Sequence, residues 1–259
     1  MIGEIIMPRN KVAIVTGGTS GIGYAIAKLF TETGTTVVAA SSRQDAVDET
    51  KAQLGCDGFA ADLSRTEDCR ALVDYTLEKH GRVDILVNNA GIQHVCPVDE
   101  FPEDKWKFMI DLMLTAPFLL TKYCWPSMKE NHWGRIINIS SIQGLVSSPF
   151  KSCYVSAKHG LNGLTMATAM EGGKYGITVN SICPAYVDTP LVQKQIASQA
   201  KVHNISEAEV ISEIMLTNSA IKNLLDPMDV AKVARFLCSD GADMITGTSI
   251  PVDGGWTAN

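Results

Sequence analysis

Lys11-Val12-Ala13-Ile14-Val15-Thr16-Gly17-Gly18-Thr19-Ser20-Gly21-Ile22-Gly23-Tyr24-Ala25-Ile26-Ala27-Lys28-Leu29-Phe30 decides the fold of this 259-residue chain. Its first six residues are a short, nearly continuous apolar run, the pattern of a strand buried on both faces of a parallel sheet. A glycine-rich turn follows at once, and from Tyr24 the apolar residues recur with helical period. Strand, glycine turn and helix together point backbone N–H groups and the positive end of a helix dipole at one spot, a place for a pyrophosphate. Glycine permits positive φ there and lets a phosphate approach the backbone closely. The spacing is G-x-x-x-G-x-G rather than G-x-G-x-x-G. A tight strand–helix turn without any ligand would read the same way.

The alternation continues outward from this stretch. Thr36 to Ala40, Gly58 to Leu63, Val83 to Val87, Arg135 to Ile139, Thr178 to Ile182 and Ser249 to Val252 read as further strands, with helical periodicity between them. Glu103 to Asn131 is helical in period, with Pro117 and Pro126 as local kinks or boundaries. A helix is expected from about Cys153 to Tyr175 and a last one from Asp229 to Ser239. Asp188 to Leu225 breaks the alternation and is long for a connection, so it reads as a helical lid or substrate-loop insertion, at about 188–225. With no break in composition, the expectation is an α/β fold, a single-domain doubly wound parallel sheet over residues 1–259. Right-handed crossovers then bring the glycine turn, Asn88 to Gly91, Ser141 and Pro184 to one C-terminal sheet edge.

Composition narrows the classes. Hydrophobic residues make up 46%, enough for a large core, and the formal charge is -6 with basic residues scattered. That argues against nucleic acid as a partner. No apolar run reaches the ~18 residues of a membrane span. Met1 to Asn10 carries Glu4 and no small-residue cleavage site, so no signal peptide is expected and the location reads as cytoplasmic. Seven scattered cysteines without a C-x-x-C pair read as free thiols of a reducing compartment. The five histidines show no metal-ligand spacing, and no metal is expected.

Chemistry concentrates between Ser141 and Lys158. Tyr154 and Lys158 stand four residues apart, on one face of the expected helix. A free tyrosine has a pKa near ~10; an ammonium beside it lowers that value and favours a proton-transfer role. Ser141, at the end of the strand Arg135 to Ile139, is placed to donate a hydrogen bond to the reacting oxygen. At the end of the second strand, Ser41-Ser42-Arg43 offers no acid for a ribose 2′-hydroxyl. Arg43 is either a ligand for a 2′-phosphate or the start of a solvated helix. Asp62 is either an acceptor for an adenine amino group or a helix N-cap. The amides of Asn88 and Asn89 are expected to brace neighbouring strand ends, with Gly91 leaving room for a cofactor.

Together, Thr16-Gly17-Gly18-Thr19-Ser20-Gly21-Ile22-Gly23, Asn88-Asn89-Ala90-Gly91, Ser141, Tyr154-x-x-x-Lys158 and Cys183-Pro184 resemble the short-chain dehydrogenase/reductase family, in its order and spacing, from about Lys11 to Gly255. The resemblance implies a Rossmann-type fold, a nicotinamide cofactor (NAD, with NADP possible) and a homotetramer. It makes Tyr154 the acid/base, Lys158 the residue that lowers its pKa and binds the nicotinamide ribose, and Ser141 the residue that orients the substrate oxygen. The cofactor contacts it implies are Gly17, Thr19, Ser20, Gly21, Ile22, Gly23, Arg43, Asp62, Leu63, Asn89, Ala90, Gly91, Tyr154, Lys158, Pro184, Ala185, Val187 and Thr189.

Within that family the chain is most similar to D-3-hydroxybutyrate dehydrogenases. Gly91-Ile92-Gln93-His94, Lys151-Ser152, Ala157-Lys158-His159-Gly160, Leu191 to Ile196 and Asp253-Gly254-Gly255-Trp256 are among the stretches that carry this. The similarity implies oxidation of a small hydroxy acid or reduction of its keto acid, with Gln93, Ser141, Gln143, Lys151, Tyr154, Tyr186, Gln195 and Trp256 around the substrate. One ammonium and several amides suit a short carboxylate. An NADP-dependent reductase of another ketone, and a weakly active dinucleotide-binding regulator, are the alternatives. Two residues depart from the family's pattern. Met113 stands where an asparagine helps hold a proton-carrying water chain, and Gln143 stands where the substrate pocket has a histidine.

Overall fold

Val12 to Thr16 are all buried, yet successive side chains face opposite ways. Ala13 and Val15 pack into one apolar layer and Ile14 into another. Burial on both sides requires helices on both faces of the sheet, and the crossovers that carry them make neighbouring strands parallel. The computed structural model describes residues 10–258 and has this architecture. The expectation for Met1 to Asn10 lies outside the described residues, apart from its last one.

Seven strands, β1 (Val12–Thr16), β2 (Thr36–Ser41), β3 (Asp57–Ala60), β4 (Ile85–Asn88), β5 (Gly134–Ile139), β6 (Ile177–Pro184) and β7 (Ser249–Val252), form one sheet in the order β3-β2-β1-β4-β5-β6-β7. Every pairing is parallel. The strand order reverses between β1 and β4, so their C-terminal ends diverge into a crevice. Helix α1 (Gly21–Glu32) and helix α9 (Pro227–Leu237) cover one face, where Ile26, Phe30, Val230 and Leu237 are buried against Val15, Val87 and Ile137. Helices α3 (Thr66–His80), α5 (Ala116–Glu130) and α6 (Ser152–Gly172) cover the other, with Leu72, Leu120 and Ala169 against Ile14, Leu86 and Ile136. Helix α2 (Gln44–Leu54) flanks β2 and β3, and helix α4 (Glu103–Ile110) leads towards α5.

Three expectations need correction. The third strand stops at Ala60, so Asp62 and Leu63 lie beyond it. The Asp62 carboxylate accepts the Ser64 N–H at 3.1 Å and its hydroxyl at 2.7 Å, a local turn that ends the strand early. Asp62 caps no helix either, because α3 starts at Thr66 after Arg65. The helical run from Glu103 has a boundary beside Pro117 and none at Pro126. A π turn over Asp111–Thr115 separates α4 from α5; Pro117 falls in the first turn of α5 and Pro126 lies inside it. A π turn keeps nearly helical periodicity, which hides it in the sequence. Cys183 and Pro184 form the end of β6 rather than a segment past it.

The long insertion is helical, as expected. Helix α7 (Pro190–His203), a single turn α8 (Glu207–Glu209) and a π segment Val210–Met215 enclose a small core of Ile196, Val210, Met215 and Leu216. The chain leaves and re-enters through one place, the parallel bridge between Val187 and Leu225. Among the described residues no helix is long and apolar enough to cross a membrane.

Candidate active site

The crevice between β1 and β4 is held by the side chain that ends β1. The Thr16 hydroxyl accepts the N–H groups of Asn89 (2.8 Å) and Ala90 (3.0 Å) and donates to the Val87 carbonyl (3.2 Å). The Asn89 amide donates to the carbonyls of Thr16 (2.9 Å) and Gly17 (3.3 Å). Asn88 donates to Asn138 at 2.8 Å, and Asn138 to the Thr165 hydroxyl at 2.8 Å. The asparagines thus brace strand ends, as their position predicts. Gly17 has φ +61, and a Cβ there would come within 2.8 Å of the Asn89 amide nitrogen. A Cβ on Gly23 would meet the Gly17 carbonyl oxygen at 2.1 Å, so Gly23 lets α1 close against the turn. Helix α1 has no side-chain cap and no acid in its first turn. Its first residues, Gly21 and Ile22, line the crevice.

A cleft of about 250 Å³ runs from this turn across the C-terminal ends of β4, β5 and β6 to α7. Ser141, Tyr154 and Lys158 meet in it. Ser141 follows β5 and opens a 3₁₀ turn, Ile142–Gly144, with its oxygen accepting the Gln143 N–H at 3.1 Å. Tyr154 and Lys158 share one face of α6, with the Lys158 ammonium 5.6 Å from the phenol ring centroid. The Lys158 ammonium donates to the Ile139 carbonyl at 2.7 Å, and the side chain is 4% exposed. Here the sequence expectation is reversed. Burial pushes the Tyr154 phenol above its ordinary value, with the Ser141 hydroxyl pulling the other way. Burial lowers Lys158 to about 8. In the protein alone burial disfavours both charged forms.

At the other end of the cleft, the Gln195 amide donates to the Gln93 carbonyl oxygen at 2.6 Å. Lys151 and Tyr186 face the same space, the Lys151 ammonium 5.9 Å from the Tyr186 ring centroid. Burial lowers the Lys151 pKa. Gln143 is buried; its amide nitrogen donates to the Ser148 hydroxyl at 2.9 Å and its carbonyl oxygen has no partner. Among the described residues, no aspartate or glutamate lines the cleft, whereas two lysines do.

The cleft therefore collects Gly17, Ser20, Gly21, Ile22, Asn89, Ala90, Gly91, Pro184, Ala185, Val187 and Thr189 along one part, and Gln93, Gln143, Lys151, Tyr186 and Gln195 along the other. Thr19, Gly23, Arg43, Asp62, Leu63 and Trp256 lie outside its walls. Leu63 is a core residue. Arg43 is exposed and bonded through its guanidinium to Asp45. Trp256 sits half-buried in a 3₁₀ turn, Trp256–Ala258. Sequence reasoning missed the Thr16 hydroxyl, and also Ile92, Leu191 and Val192, which line the cleft as apolar walls. The only signal for Thr16 was a polar residue ending an apolar strand.

Residues 11–200 match the short chain dehydrogenase family. The chain belongs to that family. It is 43% identical over 256 residues to a D-beta-hydroxybutyrate dehydrogenase of Rhizobium meliloti (strain 1021), covering 96% of this chain and 99% of the relative. It is 36% identical over 247 residues to an acetoacetyl-CoA reductase of Shinella zoogloeoides, covering 95% and 98%. A crystal structure of an actinorhodin polyketide ketoreductase variant with NADPH superposes with a TM-score of 0.91 at 31% identity, covering 96% of this chain and 98% of that one.

The protein is thus an oxidoreductase of the short-chain dehydrogenase family, and its departures take physical form. Met113 is 1% exposed within the π turn and packs with Met109, Cys153 and Ala157. Its sulfur would sit 3.3 Å from a Cβ placed on Gly91. The position is dry and apolar. The neighbouring Cys153 thiol is pushed up to about 11 by burial, which leaves it a poor nucleophile. Among the described residues, no group of three or more His, Cys, Asp or Glu side chains is arranged to hold a metal ion.

Lys158 links stability to pH. Folding lowers its pKa from 10.5 to about 8, so burying the ammonium costs stability wherever the unfolded chain is protonated. The cost is full below about pH 8 and disappears above about pH 10.5. Lys158→Met keeps the length and removes the charge. It is expected to raise stability at pH 7 by about 1–2 kcal/mol, the desolvation gain less the lost hydrogen bond to Ile139, with the gain shrinking as pH approaches 10. Urea melts across that range check this; a variant less stable than wild type at pH 7 refutes it.

Proposed function

We propose that this dehydrogenase interconverts a small hydroxy acid and its keto acid, D-3-hydroxybutyrate and acetoacetate foremost, with NAD as cofactor. The observation that carries the reading is a cleft with no carboxylate and with a half-buried ammonium, Lys151, facing the same space as Tyr154 and Ser141. An ammonium that gives up water without an acidic partner is matched to an anionic ligand. Gln93 and Gln195 supply amide donors beside it.

A dinucleotide fits the other part of the cleft. The glycine turn has left-handed backbone at Gly17 and Gly21, and side chains at either position would crowd Asn89 or Thr189. The uncapped end of α1 suits a pyrophosphate, and Lys158 and Tyr154 suit the nicotinamide ribose. A bound nicotinamide supplies or accepts the hydride. The rest falls to the chain. Tyr154, held protonated by burial, gives its proton to the ketone oxygen in reduction and takes it back in oxidation. The Ser141 oxygen accepts the Gln143 N–H, and its proton, directed at the Tyr154 oxygen in the protein alone, turns to donate to that same substrate oxygen. Lys151 and the glutamines hold the carboxylate and so fix which face of the carbonyl is presented.

Arg43 supports a second reading. No acid ends β2, and an exposed guanidinium shared only with Asp45 is free to exchange that partner for a 2′-phosphate. NADP-dependent reduction of another keto compound, such as the thioester that names the Shinella relative, is the alternative. Outward-facing Phe118 on α5 and Met166 and Met170 on α6 are 47%, 54% and 86% exposed, an apolar surface suited to a homotetramer.

Purified protein with D-3-hydroxybutyrate and NAD⁺ should form reduced nicotinamide, and Tyr154→Phe should lower kcat by about 10³-fold or more while cofactor binding persists. Turnover retained in that variant would end the assignment. Lys151→Met should raise KM for acetoacetate about tenfold or more, the scale of a hydrogen bond to a charged group, without changing KM for methyl acetoacetate. Activity confined to NADPH and a thioester would favour the second reading. Light scattering should return four times the chain mass, and Met170→Glu should reduce it; a monomeric wild type would remove the tetramer.

A further inference from the structure

Phe150 holds a left-handed backbone conformation, φ +64. Asn10, His132 and Asn204 are the other non-glycine residues of that sign among those described. Asparagine tolerates the region, whereas a bulky aromatic residue there is an outlier. The Phe150 ring is 57% exposed, so burial of the side chain does not offset the strain.

The compensation lies in the backbone. The Phe150 carbonyl accepts the Cys96 N–H at 2.9 Å. That bond ties the irregular stretch after β4, which carries Gln93, to the turn that leads into α6. The same stretch is held from the opposite side by the Gln195 amide on Gln93. Lys151 follows Phe150 directly at the N-cap of α6, and its carbonyl accepts the Val155 N–H at 2.9 Å. One strained residue thus sets the entry of the lysine and fastens the loop of the glutamine.

Resting on the reading that Lys151 and Gln93 hold the substrate carboxylate, we propose that Phe150 is a positioning residue for that subsite, acting through its left-handed backbone and not through its ring. The proposal separates two substitutions. Glycine adopts φ > 0 freely, so Phe150→Gly keeps the geometry while deleting the ring. Valine resists that region, so Phe150→Val releases it.

The test measures KM and kcat for acetoacetate and for methyl acetoacetate, together with hydrogen exchange at the Cys96 amide. Phe150→Val is expected to raise KM for acetoacetate severalfold, the added left-handed cost of a β-branched side chain over an unbranched one. Its kcat should stay within about twofold, KM for the ester should be unchanged, and the Cys96 amide should lose protection. Phe150→Gly should restore the acetoacetate KM and the protection. Equal damage from glycine and valine, equal damage to ester and acid, or a Cys96 amide still protected in the valine variant would each overturn the proposal. A wild-type protein that turns over no keto acid would refute the carboxylate reading instead. Cys96 exchange in the two variants would then still show whether the Phe150 backbone fastens the loop.

Discussion

A hydroxyl has one proton to give and two lone pairs to offer, and Thr16 uses all three. Two N–H groups of the segment after β4 point into it, and it points into the Val87 carbonyl of β4. The parallel ladder joins β1 and β4 as far as Val15 and Val87, and beyond it side chains must hold the chain ends together. The Thr16 hydroxyl and the Asn89 amide do this, and so set the spacing. Everything downstream inherits that spacing: the glycine turn leans on Asn89, and Gly91 leans on Met113. A methyl group in place of the hydroxyl would take that partner from two part-buried donors and from the Val87 carbonyl, at about 1–3 kcal/mol for each group left unpaired and buried.

Much of the molecule was legible in the sequence because the relevant signals are periodic or conformational. Alternating burial on β1 and the helical period of α1 need no tertiary information, and Gly17 and Gly21 announce left-handed backbone. Right-handed crossovers bring Ser141 to the sheet edge, and helical spacing with the family resemblance adds Tyr154 and Lys158. What the sequence hid was of other kinds. The π turn at Asp111–Thr115 shares its period with the helices on either side. Asp62 was spent on a local turn with Ser64, a choice between neighbours that composition does not rank. The electrostatic sign at Tyr154 depends on how much water the fold removes, which no spacing of residues records.

That sign frames the chemistry. A phenol beside an ammonium reads, on paper, as a phenolate in waiting. In the folded protein neither charge is welcome, and Lys158 gives its proton's attention to the Ile139 carbonyl. At neutral pH Tyr154 is therefore held as a neutral acid beside a Lys158 ammonium that burial has brought to about 8, with Lys151 set apart at the far wall. Met113 extends the same dryness underneath, through a cluster that includes Met109, Cys153 and Ala157. Low dielectric strengthens each remaining polar contact, so the few donors present carry more of the orientation than they would in a wetter cleft.

The insertion between Val187 and Leu225 has a consequence of a different sort. It begins and ends at one bridge, carries its own small core, and lends the cleft Leu191, Val192 and Gln195. Its two ends are fixed side by side, and its remaining ties run from Ala220 and Ile221 to the Gly254 carbonyl and from Gln195 to Gln93, so changes between those points need not shift a strand of the sheet. It behaves as an exchangeable cassette. Lineages, or laboratory libraries, that recut only this segment could explore new acids and ketones while the hydride-transfer apparatus stays as inherited.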